Sequence, residues 1–207
     1  MFKQISNLLK LRIGVIMMLT ALVAMAVTPG QSLDAVQVSV LAFAVLISAG
    51  SAGAFNQYFE VDLDSVMQRT KDRPFVTGTF HKSPLWILFI LSLLGAGVGS
   101  AAIFLNGAAA FYIFLGAFFY AIVYTVLLKR RTWMNIVIGG ASGSFAVLAG
   151  AAAVDPSLSP IPVLLALVLF FWTPSHFWSL AIAKHKDYAN AGVPMLPLVI
   201  GDRRTAV

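Results

Sequence analysis

Residues 33–64 read LDAVQVSVLAFAVLISAGSAGAFNQYFEVDLD. From 33 to 55 the only ionisable side chain is Asp34, at the very start, and the run exceeds the roughly 20 residues a helix needs to cross a bilayer core. Ser48, Gly50, Ser51 and Gly53 keep one side of it small, so that another helix backbone can come close in lipid. If the helix runs on past Phe55, Asn56, Glu60 and Asp64 recur every fourth residue. At 3.6 residues per turn each step drifts by only about 40°, so the three share one stripe while Asp62 points elsewhere.

Five more runs of similar length flank this one, at about 12–29, 84–104, 107–128, 134–154 and 160–183. Glycines recur in them as well, with Gly95, Gly97 and Gly99 in one run and Gly139, Gly140 and Gly143 in another, and are read as helix contacts. The reading is all-α: a polytopic transmembrane helical bundle forming a single domain over 1–207. Composition agrees, since 59% of the residues are hydrophobic and 11% charged, against the roughly 25% charge of a soluble domain. The first run holds Ala24-Met25-Ala26, a pattern also found in signal peptides, but it is unbroken over a spanning length and is kept as a helix. With no cysteine, thiolate metal sites and disulfides are excluded.

All fourteen Lys and Arg residues fall at 1–12, 56–83, 129–133 and 184–207, on one side of the alternating spans. This positive-inside pattern puts the N-terminus and those loops in the cytoplasm, and it accounts for the net charge of +6 without a nucleic-acid partner. No acid sits mid-span, which argues against an ion-coupled transporter and for chemistry at the cytoplasmic interface.

The Asn56, Glu60 and Asp64 stripe suits a hard divalent cation such as Mg²⁺, which takes one or two carboxylates and completes its shell with water and phosphate oxygens. Arg69, Lys71 and Arg73 follow within ten residues and suit a diphosphate. Metal and cations together would neutralise the charge on a departing diphosphate. A mixed, solvated loop with topological anchors is the competing reading of the same residues. Asp64 is expected to face solvent. His176, the only histidine within a span, follows Pro174 and could ligate a heme iron or simply bond a neighbouring carbonyl.

The pattern Asn56, Glu60, Asp64, Arg69-Thr70 and Arg73-Pro74 resembles the signature of the UbiA-type intramembrane prenyltransferases. The fuller run NQYFEVDLDSVMQRTKDRP, with Pro174-Ser175-His176-Phe177-Trp178 and Lys184-His185-Lys186-Asp187-Tyr188 further on, is similar to the heme-farnesylating branch of that family. Glu60 stands where Asp is common, and a second Asp-x-x-x-Asp pair is missing, since Ala183 and Ala191 flank Asp187. The resemblance implies transfer of the farnesyl group of farnesyl diphosphate to a vinyl group of heme b, giving heme O and free diphosphate. It further implies Mg²⁺ on Asn56, Glu60 and Asp64, diphosphate on Arg69, Lys71 and Arg73, heme on His176, and closure of the site by Lys186 and Asp187, with Asp64, Lys186 and Asp187 as the catalytic set. Tyr58, Phe59 and Tyr188 become candidates to face the farnesyl cation. Other implied partners are membrane lipid and a downstream heme-modifying enzyme, in a bacterial inner membrane. The family has nine spans, so with six this sequence is expected to be incomplete at its C-terminal end. Alternatives are a UbiA-type enzyme acting on a quinone precursor, or a membrane transporter.

Overall fold

The computed structural model describes residues 1–206, and among them there is helix and turn but no strand. A short helix α1 (Phe2–Leu8) turns at Lys10 into α2 (Leu11–Val27), and α3 (Ala35–Phe59) returns. After α4 (Val61–Val66) and a polar loop come α5 (Pro84–Phe104) and α6 (Gly107–Phe118), which continues as a π-helix (Phe119–Leu128). Then α7 (Asn135–Gly139) and α8 (Ala141–Val154) together make one crossing, and α9 (Pro160–Ala183) makes the last. Three short helices follow at the end, α10 (His185–Asn190), α11 (Leu196–Ile200) and α12 (Asp202–Thr205). Five crossings are long and apolar enough to span; α2, at 17 residues, lies at the lower limit and is shorter than the expected 12–29. The protein is an integral membrane protein.

Sequence chemistry places the ends of these helices. Asp34 accepts from the Gln37 amide while Gln37 reaches back to the Asp34 N–H, a reciprocal cap that starts α3. Asn106 caps α6 through the Ala109 N–H and donates its amide to the Ala152 carbonyl, tying the start of α6 to the far end of α8. Pro84 and Pro160 open α5 and α9, where a missing N–H costs nothing.

The inner crossings are α3 and the α7–α8 pair, with 50% and 61% of their apolar stretches buried against 17% for α5, for α6 with its π-helix, and for α9. Lipid offers no hydrophobic drive to associate, so close backbone packing decides which helices go inside. Gly150 of α8 sits so near α2 that an added Cβ would collide with the Ala21 carbonyl oxygen, and one at Gly97 would collide with Ser48 Oγ on α3. Gly139 and Gly140 press on Tyr124 and Thr173 in the same way. The expectation is corrected at Gly95 and Gly99, which have nothing within 4 Å and are not helix contacts. We therefore expect Gly150→Ala to cost at least about 1–3 kcal/mol by overpacking, and Gly95→Ala to leave the unfolding temperature in detergent unchanged or raised.

Because the crossings alternate, residues 1–10, 60–83, 129–134 and 184–206 gather at one end. Leu63 and Met67 from the first loop pack there with Ala181 near the end of α9 and with Tyr188, Val193 and Met195 from the last loop, so the two motif-bearing segments form one floor.

Candidate active site

The stripe forms as read from spacing, but with a break. The helix opens at Glu60 (φ −96°, ψ 24°), yet the i→i+4 bonds continue through it, from Glu60 N–H to Asn56 O at 3.0 Å and from Asp64 N–H to Glu60 O at 2.8 Å. Asn56, Glu60 and Asp64 therefore stay on one side, at 2%, 0% and 1% exposure. Asp64 does not face solvent as expected: Thr70 Oγ1 donates to its backbone carbonyl at 3.0 Å, and Arg73 pairs with its carboxylate at 2.5 Å. The turn bearing Thr70 and Arg73 folds back over the helix end and covers it.

Each oxygen ligand is met by a cation. Lys10 Nζ donates to Asn56 Oδ1 at 2.7 Å and to Tyr120 OH at 2.8 Å. The Asn56 amide donates to Glu60 Oε2 at 2.7 Å and to Thr125 Oγ1 at 3.0 Å. Lys129 Nζ donates to Glu60 Oε2 at 2.5 Å. Three cations, Lys10, Lys129 and Arg73, thus face two carboxylates, leaving one positive charge over in a buried place. Burial lowers the Lys10 pKa to about 7, helped by the charge of Arg73 and opposed by Glu60 and Asp64. Lys129 is also lowered by burial, against the pull of Glu60. An anion entering here would favour both ammonium forms.

The sequence reading missed Lys10, Tyr120, Thr125 and Lys129. The π-helix makes the last three converge, because i→i+5 bonding brings residues five apart onto one face, and Lys129 N–H closes the segment on Tyr124 O at 2.9 Å. Tyr120 and Tyr124 stack at 5.7 Å, with Lys10 over the first ring and Lys129 over the second. Tyr58 instead turns into an apolar cluster with Phe75, under Lys82, and Phe59 is 40% exposed.

The remaining expected residues lie on the two loops, apart from His176 on α9. Arg69 and Lys71 are exposed on the loop. Asp187 reaches the Gln68 N–H at 3.4 Å, while Lys186 points to solvent. Tyr188 is buried between the loops, where desolvation raises its hydroxyl pKa and the charge of Arg69 works against the rise. His176 is exposed on α9, its ring stacked on Trp172 at 4.5 Å. Asp62 points away from the stripe, as spacing requires, and forms a two-pronged pair with Arg130 at 2.6 and 2.7 Å. That hydrogen bond brings the Asp62 carboxyl down to about 2. Its folded pKa lies below the usual carboxylate value, so the bridge stabilises above about pH 4 and is lost as pH falls toward 2. Both side chains are well exposed, so Asp62→Asn should cost no more than about 1 kcal/mol and less in high salt, read from unfolding at neutral pH.

The donor set fits a hard divalent cation. Glu60 Oε1 is buried with no hydrogen-bond partner beside two further oxygen ligands. Among the described residues no three His, Asp or Glu side chains converge, so the protein offers two carboxylates and an amide, and phosphate oxygens or water complete the shell.

A profile of the UbiA prenyltransferase family matches residues 17–207, and the chain belongs to that family. It is 57% identical over 203 residues to protoheme IX farnesyltransferase 2 of Paramagnetospirillum magneticum, covering 98% of this chain and 70% of that one. Protoheme IX farnesyltransferase 1 of the same organism is 47% identical over 205 residues, covering 99% and 72%. In fold the chain is similar to a UbiA homolog from Archaeoglobus fulgidus solved with DMAPP and Mg²⁺, with a TM-score of 0.82 at 17% identity, over 98% of this chain and 71% of that one.

Proposed function

We propose that this prenyltransferase moves the farnesyl group of farnesyl diphosphate onto a vinyl group of heme b, forming heme O at the cytoplasmic face of a bacterial inner membrane. The observation that carries the reading is the buried Asn56, Glu60 and Asp64 stripe with its surplus of cations. It lies at the end of the bundle where every Lys and Arg gathers, which on the positive-inside rule is cytoplasmic. The names of the relatives at 57% and 47% identity support the choice of farnesyl donor and heme acceptor.

Asn56, Glu60 and Asp64 would hold Mg²⁺, whose charge offsets the negative charge growing on the departing diphosphate. Arg73, paired with Asp64, and the exposed Arg69 and Lys71 of the same loop would supply the forks and point charge for the diphosphate oxygens. Lys10 and Lys129 add positive charge from below. The C–O bond breaks with its electron pair on the diphosphate, the vinyl carbon forms the new C–C bond, and water adds to the resulting cation and gives up a proton. The stacked Tyr120 and Tyr124 rings present π faces close to where the allylic cation would form. Lys186 and Asp187 would close the site from the last loop, and His176 would meet the heme from the exposed face of α9. The product would then pass to a downstream heme-modifying enzyme.

The test is expression of the protein in cells that lack heme O, followed by mass analysis of extracted hemes. A heme heavier by one farnesyl group and one hydroxyl group is expected. Unmodified heme b alone, with the protein present in the membrane, overturns the reading.

A further inference from the structure

Lys10 reaches the site from a backbone that an L side chain rarely adopts. Its φ of 48° and ψ of 43° are left-handed, in the corner between α1 and α2, where glycine would be unstrained. A lysine kept in such a corner points to a side chain needed for something other than the turn, and its Nζ ends between Asn56 Oδ1 and Tyr120 OH.

Two features of α3 hold the corner. Gln57, 1% exposed, donates its amide to the carbonyls of Asn7 at 2.7 Å and Leu8 at 3.4 Å, the last acceptors of α1, and so pins the backbone two residues ahead of Lys10. Gly53, one turn earlier, leaves the channel in which the Lys10 stem lies: an added Cβ would come 3.3 Å from both Cγ and Cδ of Lys10 and 3.4 Å from the Leu9 carbonyl. Gln57 Oε1 is buried without a partner, so the amide acts through its donor end alone.

We propose that Gln57 is a positioning residue of the active site: by fastening the end of α1 to α3 it sets the left-handed corner that aims Lys10 at Asn56, with Gly53 as the groove for the lysine stem. Gln57 is next to Asn56 in sequence but points about 100° away around the helix, and its side chain bonds α1 rather than the site, so it acts there through Lys10. The inference rests on the reading of the site as one that binds a diphosphate with a metal.

The experiment measures binding of inorganic diphosphate in the presence of Mg²⁺ by calorimetry on the purified protein in detergent, with unfolding temperatures recorded alongside. Lys10→Met and Gln57→Leu are each expected to weaken binding about tenfold, the size usual for an outer residue that orients a ligand-holding one. Lys10→Met/Gln57→Leu should be no weaker than Lys10→Met alone, since residues acting through one another do not add. Gly53→Ala, which leaves Gln57 intact, should reproduce the loss and should likewise vanish on the Lys10→Met background; it carries the test if Gln57→Leu does not fold. Wild-type affinity in Gln57→Leu, or losses that multiply in the double variant, overturn the positioning role and leave the site reading standing. A wild-type protein that binds no diphosphate with Mg²⁺ overturns the site reading and this inference together.

Discussion

Lys129→Met is expected to lower the stability of the ligand-free protein by about 3–5 kcal/mol, the usual cost of leaving one member of a buried ion pair behind. The stranded group is Glu60, whose side chain is fully buried and whose Oε2 then keeps only the Asn56 amide. Adding Glu60→Gln to Lys129→Met should return most of that stability, because the second change removes the uncompensated charge while keeping the shape. It should not return activity, since the site then has one carboxylate in place of two. Unfolding temperature in detergent and farnesyl transfer measured on the same preparations separate the two effects. Mg²⁺ should raise the unfolding temperature of Lys129→Met more than that of the wild type, because the metal replaces the missing charge beside Glu60. Equal stability for Lys129→Met and wild type would mean that the ion pair is not what holds Glu60.

The second large effect is expected at Asp64. Asp64→Asn keeps the shape and leaves an oxygen for Arg73, which is 14% exposed and retains some solvent, so the loss of stability should be smaller than for Lys129→Met. Turnover should nevertheless fall by about 10²–10³, the scale seen when one preorganised group that stabilises transition-state charge is removed. Turnover within a few-fold of wild type, at equal protein level, removes Asp64 from the metal and leaves it a structural partner of Arg73.

Much of the fold was legible because lipid restricts which backbone arrangements are open to a polypeptide. The span boundaries read from apolar runs fall within a few residues of the observed helices, and four residues of spacing were enough to put Asn56, Glu60 and Asp64 on one side. The same spacing turned Asp62 outward, where it pairs with Arg130. Lys10 and Lys129 were legible only as topological charge. Nothing local distinguishes them from Lys3 or Arg131, because the partner that makes each functional lies 46 and 69 residues away. Tyr120 and Thr125 were hidden for a second reason: a π-helix leaves no clear mark on the apolar pattern, and a 3.6-residue period gives the wrong face for residues five apart.

From its amino-acid order alone this protein determines an all-helical membrane bundle, the side on which its cations collect, and the helix end that carries the oxygen ligands. Those properties follow from hydropathy, charge and helical period, which act over a few turns at most. Only the packed structure decided that Asp64 is buried under its own loop, that lysines from the start of α2 and the end of the π-helix meet at Asn56 and Glu60, and that the two loops share one floor. Those outcomes depend on how closely helix backbones approach at glycines such as Gly53, Gly139 and Gly150, a property of pairs of helices that neither helix states by itself.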